Sequence, residues 1–445
     1  MGAPAAVVAG GLLLLWPAFL NGYPLVFSDT AAFLHQTAPH PDGPVVIWDK
    51  PHVYGPLIHL FHWRVSLWGP ALAQGLMVSH LLWLLQRAIR GAAAPVPHLL
   101  TCLGAAALTT APFTVALLMP DVFAPVVLVA LLLLGFARDR LSWGEAAWLG
   151  LLATLGIAAH LSHLPLAGAV LVTVLVLRRR LRPGLRVAAP LLGAVLVLLG
   201  TNLWGHGRAT LSSHGATFAL ARLQDDGPAA AVIRERCPES GWYLCAFTDR
   251  LPMDSDEFLW SPDSPVNRGP DSTPRFLGGA LLSAEAREIV AATIASRPAE
   301  VAAAMARNTL RQLGMAGIGD TLHGDNLAVT VRERIAAAFP ARELAAYDAA
   351  LQPRGRLAAA VAGWPHAPGL LAGAIAALLA WWRAARSRDA RRLGLVVGVL
   401  VGVTANAWAT GGLSKPHLRY EARILWLMPV VAALALAPRG RARLQ

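Results

Sequence analysis

Outside one acidic segment, ionisable residues are sparse in this chain, and several of them fall in short stretches beside long apolar runs. Asp29 lies in Asn21-Gly22-Tyr23-Pro24-Leu25-Val26-Phe27-Ser28-Asp29-Thr30, directly after the first such run. A carboxylate there can act as a general base toward a hydroxyl that approaches to hydrogen-bond distance. It can also serve, as can Ser28, as the N-cap of a helix beginning near Thr30. The stretch Asp49-Lys50-Pro51-His52-Val53-Tyr54-Gly55-Pro56-Leu57 adds a cation and an imidazole. Lys50 suits a phosphate as a point charge, and His52 and Tyr54 are candidates beside it. The alternative is an Asp49–Lys50 surface pair, with the prolines setting a turn.

Asp121 follows Met119-Pro120, and His160 and His163 stand three apart in His160-Leu161-Ser162-His163-Leu164-Pro165. An ionisable group this close to an apolar span is unfavourable unless it is capped, paired or functional. With Asp29 or Asp121 the two histidines form a candidate site for a divalent cation. The alternatives are a helix start at Pro120-Asp121 and two interfacial hydrogen-bonding histidines. Late in the chain, Gly411-Gly412-Leu413-Ser414-Lys415-Pro416-His417-Leu418-Arg419-Tyr420-Glu421-Ala422-Arg423 gathers Lys415, His417, Arg419 and Arg423. Arg419 and Arg423 are one helical turn apart and share a face, so they can grip one phosphate or diphosphate, with Tyr420 beside them. The alternative is snorkelling toward lipid headgroups with Glu421 as partner.

The elements that must position these groups follow from composition. The chain has 445 residues, 56% hydrophobic and 14% charged, and a mean hydropathy of +0.50, which predicts a bilayer as its solvent. Apolar runs at 4–20, 65–85, 98–118, 122–136, 146–160, 164–177, 187–204, 364–382, 393–408 and 424–437 predict an all-α polytopic membrane protein with about ten transmembrane helices. With the N-terminus cytoplasmic, the inner loops 86–97, 137–145, 178–186 and 383–392 and the tail after 438 hold 17 Lys and Arg. The short outer loops hold five: Lys50, Arg64, Lys415, Arg419 and Arg423. That asymmetry predicts cytoplasmic N- and C-termini and puts every candidate named above on the outer side. No Lys or Arg precedes the first run, which is therefore expected to be a retained anchor. The formal net charge of +12 is accounted for by the inner loops beside anionic headgroups, so no nucleic-acid partner is expected.

The expected division is a seven-helix membrane module over 1–204 with a first outer loop at 21–64, an extracytoplasmic domain or loop over 205–363, and a three-helix segment over 364–445 with an outer loop at 409–423. The middle part holds 18 of the 26 acidic residues and no run long enough to span. Helices are expected there from Ser283 to 296, from Pro298 to 313 with Gly314 as stop, and over 326–339 and 342–352, with a loop over 249–273. Asp254, Asp256 and Glu257 read as a solvated acidic turn without the spacing of a calcium loop. In an oxidising compartment Cys237 and Cys245 can form a disulfide; the alternative is two free thiols. In the first loop, 39–44 reads as a rigid polar stretch and 51–63 as a short interfacial helix, with Trp48, Tyr54, Trp63 and Trp68 in an aromatic belt.

These features together resemble the multi-spanning GT-C class of lipid-linked sugar transferases. Asp29 matches that class's acid after the first helix, and Lys50-Pro51-His52-Val53-Tyr54 with Pro56-Leu57 matches its Pro-rich start to an interfacial helix. Arg419-Tyr420 with Arg423 matches an Arg-Tyr pair before a late helix. The likeness covers roughly the first seven crossings and the final loop. It departs in lacking an adjacent acidic pair in the first loop and in carrying its large segment before the last three helices. The resemblance implies a bacterial inner-membrane enzyme that moves a sugar from a polyprenyl-phosphate donor to an extracytoplasmic acceptor with inversion. Asp29 would be the base; Lys50, Arg419 and Arg423 would hold phosphate; and His52, His160, His163 or Asp121 would orient donor or acceptor. Two other classes fit the composition. One is a non-enzymatic envelope assembly or scaffold protein using 205–363 to bind a partner. The other is a transporter, for which the only clear mid-span polar groups are Gln74 and Asn406.

Overall fold

The computed structural model describes residues 2–38 and 45–438. The polar stretch 39–44 and the basic tail from 439 onward lie outside the described residues. The fold is all-helical: 71% of it is helix, with no strands among the described residues.

Every one of the ten apolar runs is helical, but not every one is a single long helix. Length and composition identify three candidate membrane spans, Leu181–His206, His366–Arg386 and Ala390–Gly412, or up to five if two sharply bent pairs are each one span. Ten crossings are therefore not reached on that measure. The shortfall has a local cause, because several runs are interrupted. The first is split into Ala3–Leu14 and Trp16–Asn21, with Pro17 early in the second piece. The third is split into Pro95–Leu108 and Ala111–Ala116 by extended backbone at Thr109. The last is split into Leu418–Leu425 and Leu427–Leu436.

Phe123–Phe136 is apolar on all sides and buried along its whole length, as expected of the central helix of a bundle. It packs against Trp68–Arg90, Trp143–Ala159, His163–Arg178, Leu181–His206 and Ala390–Ala407. The last of these approaches closely because it turns Gly394, Gly398 and Gly402 toward Phe136, Leu132 and Leu128. A Cβ at Gly398 would lie 2.1 Å from Leu132 Cδ2. Small residues at such crossings let two backbones come together.

The 205–363 segment divides between two cores. Helices Gly215–Asp225, Pro228–Arg236 and Gly278–Ser296 build an apolar cluster of their own around Leu220, Ile233, Phe258 and Ile289. Ile318, Leu322, Val331, Ile335, Tyr347 and Leu357 instead join the core of the apolar helices. Pro298–Leu313 starts at Pro298 and stops at Gly314 as expected. The preceding helix begins at Gly278, not Ser283, which is buried inside it. The stretch expected to be loop over 249–273 contains the helix Ser255–Trp260, capped by the Asp254 carboxylate on the amides of Asp256 and Glu257. The helix expected over 326–339 is shorter, Val331–Ala338. Gly278–Ser296 and Pro298–Leu313 together are apolar enough to count as a membrane span but are bent by 102°. Sequence inspection finds no spanning run there.

Candidate functional site

A short backbone zipper sets the position of Asp29. Leu25 N–H donates to Ala116 O (3.0 Å) and accepts at its carbonyl from Leu118 N–H (2.9 Å), while Thr30 Oγ1 donates to Leu118 O (3.0 Å). The two strands of chain leading to Asp29 and to Asp121 are thereby tied side by side. A second clamp comes from the large segment. Gln352 Nε2 donates to Val26 O (2.7 Å) and Thr321 O (3.0 Å), its Oε1 accepts from Val26 N–H (3.1 Å), and its own N–H donates to Asn21 Oδ1 (2.7 Å). Tyr23 Oη and Leu67 N–H both donate to Glu343 Oε1, at 2.6 and 2.7 Å.

Asp29 precedes the helix Thr30–His35 at its N-cap position, yet makes no side-chain cap hydrogen bond. Its carboxylate is turned to two cations instead, Lys50 Nζ at 3.3 Å from Oδ1 and Arg419 Nη2 at 3.8 Å from Oδ2, and its side chain is 30% exposed. Burial pushes the Asp29 carboxyl up. The charges of Lys50 and Arg419, with a hydrogen bond from Lys50, more than offset this and hold it below the usual carboxylate range. Burial pulls the Lys50 ammonium down, but Asp29 and Asp49 outweigh it and raise its pKa. Lys50 also bonds Asp49 Oδ2 at 2.5 Å, so the expected Asp49–Lys50 pair and the Asp29 contact coexist. The Lys50 ammonium lies 5.5 Å from the Trp260 ring centroid.

Arg419 and Arg423 are both on Leu418–Leu425, and each has its own acid. Arg419 lies over the Phe27 ring at 3.9 Å, and its backbone N–H is held by Asp320 Oδ2 at 3.2 Å. Arg423, 1% exposed, reaches Asp121 Oδ1 at 3.3 Å. It also donates to Asn406 Oδ1 from Nε (3.2 Å) and Nη2 (2.8 Å), and to Ser162 Oγ (2.8 Å). Asp121, Arg419 and Arg423 together line a cavity of about 10 Å³, close to the least that holds one water. Asp121 Oδ2 and Arg419 Nη1 are buried without a hydrogen-bond partner among the described residues.

The remaining expectations divide. His160 Nδ1 accepts from Ser162 Oγ at 2.7 Å, His163 Nδ1 donates to Gly156 O at 2.7 Å, and the two rings are 5.2 Å apart. The divalent-cation site is not formed: among the described residues no three His, Cys, Asp or Glu side chains are gathered to hold a metal. The physical reason is Arg423, a cation standing against both Asp121 and the His160–Ser162 pair. Tyr54 leaves the expected belt and turns inward. It is 1% exposed, its hydroxyl donates to Gln74 Oε1 (2.7 Å), and Gln74 in turn donates to Val115 O and Leu117 O. His52 packs at a tilt against Trp204, ring centroids 5.1 Å apart. Trp48 also leaves the expected belt, packing on Phe218 and Trp260 of the large segment.

Lys415 and His417 do not join Arg419 and Arg423 in one cationic cluster. Lys415 Nζ is 2.5 Å from Asp254 Oδ2 and 2.9 Å from Asp256 Oδ2, and His417 Nε2 is 3.5 Å from the same Asp256 oxygen. The acidic turn thus latches the last loop to the large segment. Tyr420 lies beneath Arg419 at 5.0 Å, with His160 and His417 at its ring edges. Cys237 and Cys245 are bonded to each other. Sequence reading did not single out Asp320, Glu343, Gln352 or Ser162. Each is an ordinary polar residue whose partner lies far along the chain. Asn406 was visible as a polar residue in an apolar run.

No protein-family model, no curated protein and no solved structure matches the chain.

Proposed function

We propose that the protein is a membrane-embedded sugar transferase of GT-C type. It would cross a bacterial inner membrane about ten times, with both termini cytoplasmic, and would use Asp29 as its base. In this topology each interrupted run, Ala3–Leu14 with Trp16–Asn21, Pro95–Leu108 with Ala111–Ala116, and the end of Leu418–Leu425 with Leu427–Leu436, counts as one broken crossing. Non-helical backbone at membrane depth is tolerated where protein buries it, as at Thr109.

The observation that carries the proposal is the Asp29 carboxylate, released from capping duty and held between Lys50 and Arg419. In the reaction an acceptor hydroxyl gives its proton to Asp29 as its oxygen attacks the anomeric carbon of the donor. The bond from that carbon to the phosphate oxygen breaks on the opposite side, and polyprenyl phosphate leaves with the electron pair. Lys50 and Arg419 would take that phosphate. As they turn to it, Asp29 loses the charges that depress its pKa and becomes a stronger base. Arg423, committed to Asp121, Asn406 and Ser162, positions Leu418–Leu425 and is not assigned a phosphate. The half-exposed ring of Trp260, beside Lys50, offers a stacking face for the acceptor.

Mass spectrometry of lipids carried through purification tests the class. A bound polyprenyl phosphate, free or glycosylated, lost in Lys50→Met and Arg419→Met variants, is the expected result. Purified protein devoid of isoprenoid lipid and inert toward a panel of polyprenyl-phosphate monosaccharides would overturn it. The scaffold reading draws on the exposed Phe276, Leu277 and Leu281 around the start of Gly278–Ser296; a stoichiometric partner bound there, with no isoprenoid, favours it. Transport is disfavoured because Gln74 and Asn406 are already taken up by Tyr54, Val115, Leu117, Tyr420, Glu421 and Arg423.

A further inference from the structure

A second charged feature lies far along the chain from Asp29, at the ends of Trp143–Ala159, His163–Arg178 and Leu181–His206. A groove of about 1350 Å³ opens there, lined at its mouth by Arg138, Arg178, Arg180, Arg182 and Arg186. One carboxylate, Asp139, shares the lining, and it is already paired with Arg391 and Arg140. Among the described residues no acid pairs with Arg180, Arg182 or Arg186. Arg138 and Arg178 are partly engaged, by Leu141 O with the Trp143 ring and by Phe136 O with the Phe136 ring.

The walls change character along the groove. On one side Ala146, Ala147, Gly150 and Thr154 follow each other down one helix face; on the other, Arg182 and Arg186 give way to Ala189 and Pro190. A polar cationic mouth therefore continues into a smooth apolar trough between two helices. Trp143, 84% exposed, lines the mouth, and Leu181 and Leu185 are exposed on the helix that carries Arg182 and Arg186, which suits the headgroup level of a bilayer.

We infer that this groove is a binding site for an anionic phospholipid of the surrounding membrane. The phosphate is held by Arg180, Arg182 and Arg186, and an acyl chain lies against Ala147, Gly150 and Ala189. Guanidinium groups pair with phosphate oxygens in a bidentate manner, and basic pockets between transmembrane helices are suited to anionic headgroups. The volume exceeds the roughly 300–1,000 Å³ of an ordinary small-molecule pocket, which leaves room for headgroup and upper chain. A soluble polyanion would satisfy the arginines but leave the apolar trough unused. The inference stands whether or not the protein transfers sugars.

Native mass spectrometry of the full chain in detergent tests it, with added phosphatidylglycerol or phosphatidylcholine. Phosphatidylglycerol adducts should persist at activation energies that strip phosphatidylcholine. Arg180→Gln, Arg182→Gln and Arg186→Gln combined should weaken phosphatidylglycerol binding on the order of a hundredfold, from about 1 kcal/mol per basic residue. Ala147→Trp, which fills the trough and leaves the charges, should also remove the adducts, and it decides the matter if the triple variant does not fold. Equal retention of the two lipids, or retention unchanged in Ala147→Trp, would overturn the inference. Displacement of phosphatidylglycerol by inorganic phosphate at similar concentration would overturn it too, by revealing a site for free anions.

Discussion

At the residue scale, burial decides which charged groups are structural. Asp121 and Arg423 are both nearly inaccessible, and removing one member of such a pair leaves an uncompensated charge. Arg423→Leu is expected to destabilise the protein by about 3–5 kcal/mol. Asp121→Asn, which spares the bonds to Asn406 and Ser162, should have a smaller effect. Unfolding in detergent measures both, and a loss under about 0.5 kcal/mol for Arg423→Leu, the level of an ordinary surface change, would contradict this assignment. The Lys415 latch carries a pH signature. Burial raises the Asp256 carboxyl, but hydrogen bonds from His417 and Lys415 outweigh it and bring it down to about 2. A folded-state pKa below the unfolded one stabilises fully above the ordinary value near 3.8 and loses that contribution as pH falls through about 2. Trp260 fluorescence should therefore be constant above about pH 4 and change as the latch opens below it. Lys415→Met should shift that change upward in pH; an identical profile would contradict the latch. Asp29 and Arg419 were legible in the sequence because charge beside an apolar run demands an explanation. The true partners of Lys415 were not, since Asp256 is 159 positions away.

At the element scale, hydrophobic runs announce helices well and announce their breaks poorly. All ten runs are helical, yet the interruptions at Leu15, Thr109 and Trp426 depend on what packs around them. The same holds for Ser255–Trp260: a crowd of Pro, Asp and Ser reads as loop, and Asp254 turns part of it into a capped helix. Two elements are held by single residues whose importance is tertiary. Gly398→Val should force Leu132 aside and destabilise the bundle by about 1–3 kcal/mol, measurable as a lowered melting temperature; an unchanged one would show that the crossing is looser. Gln352→Leu removes the clamp on Val26, Thr321 and Asn21. Hydrogen exchange at Val26 should then accelerate markedly, and exchange as slow as in the unaltered protein would mean that other contacts hold the first loop.

At the scale of the whole molecule, the proposed chemistry requires Asp29, Lys50 and Arg419 to share one side of the membrane. The large segment contributes Asp320, Glu343, Gln352 and Trp260 to one neighbourhood that also contains Asp29, Lys50 and Arg419. The arginine-lined groove at 178–186 belongs to the opposite end in the proposed topology. Single cysteines at 271 and 413, both exposed, in a chain without Cys102 should react with a membrane-impermeant thiol reagent added outside, while one at 180 should react only after permeabilisation. Composition foretold a helical membrane protein. The joining of 318–361 to the core of the apolar helices was hidden, because Ile318, Val331 and Tyr347 are too scattered to form a spanning run.

Turnover of Asp29→Asn with polyprenyl-phosphate monosaccharide donors is the most direct trial of the proposed chemistry. The amide preserves the shape and leaves Lys50 and Arg419 in place, so the variant should fold and bind donor. Its transfer rate should fall on the order of 10²- to 10⁴-fold. A folded Asp29→Asn protein that transfers sugar at the rate of the unaltered chain would contradict the account.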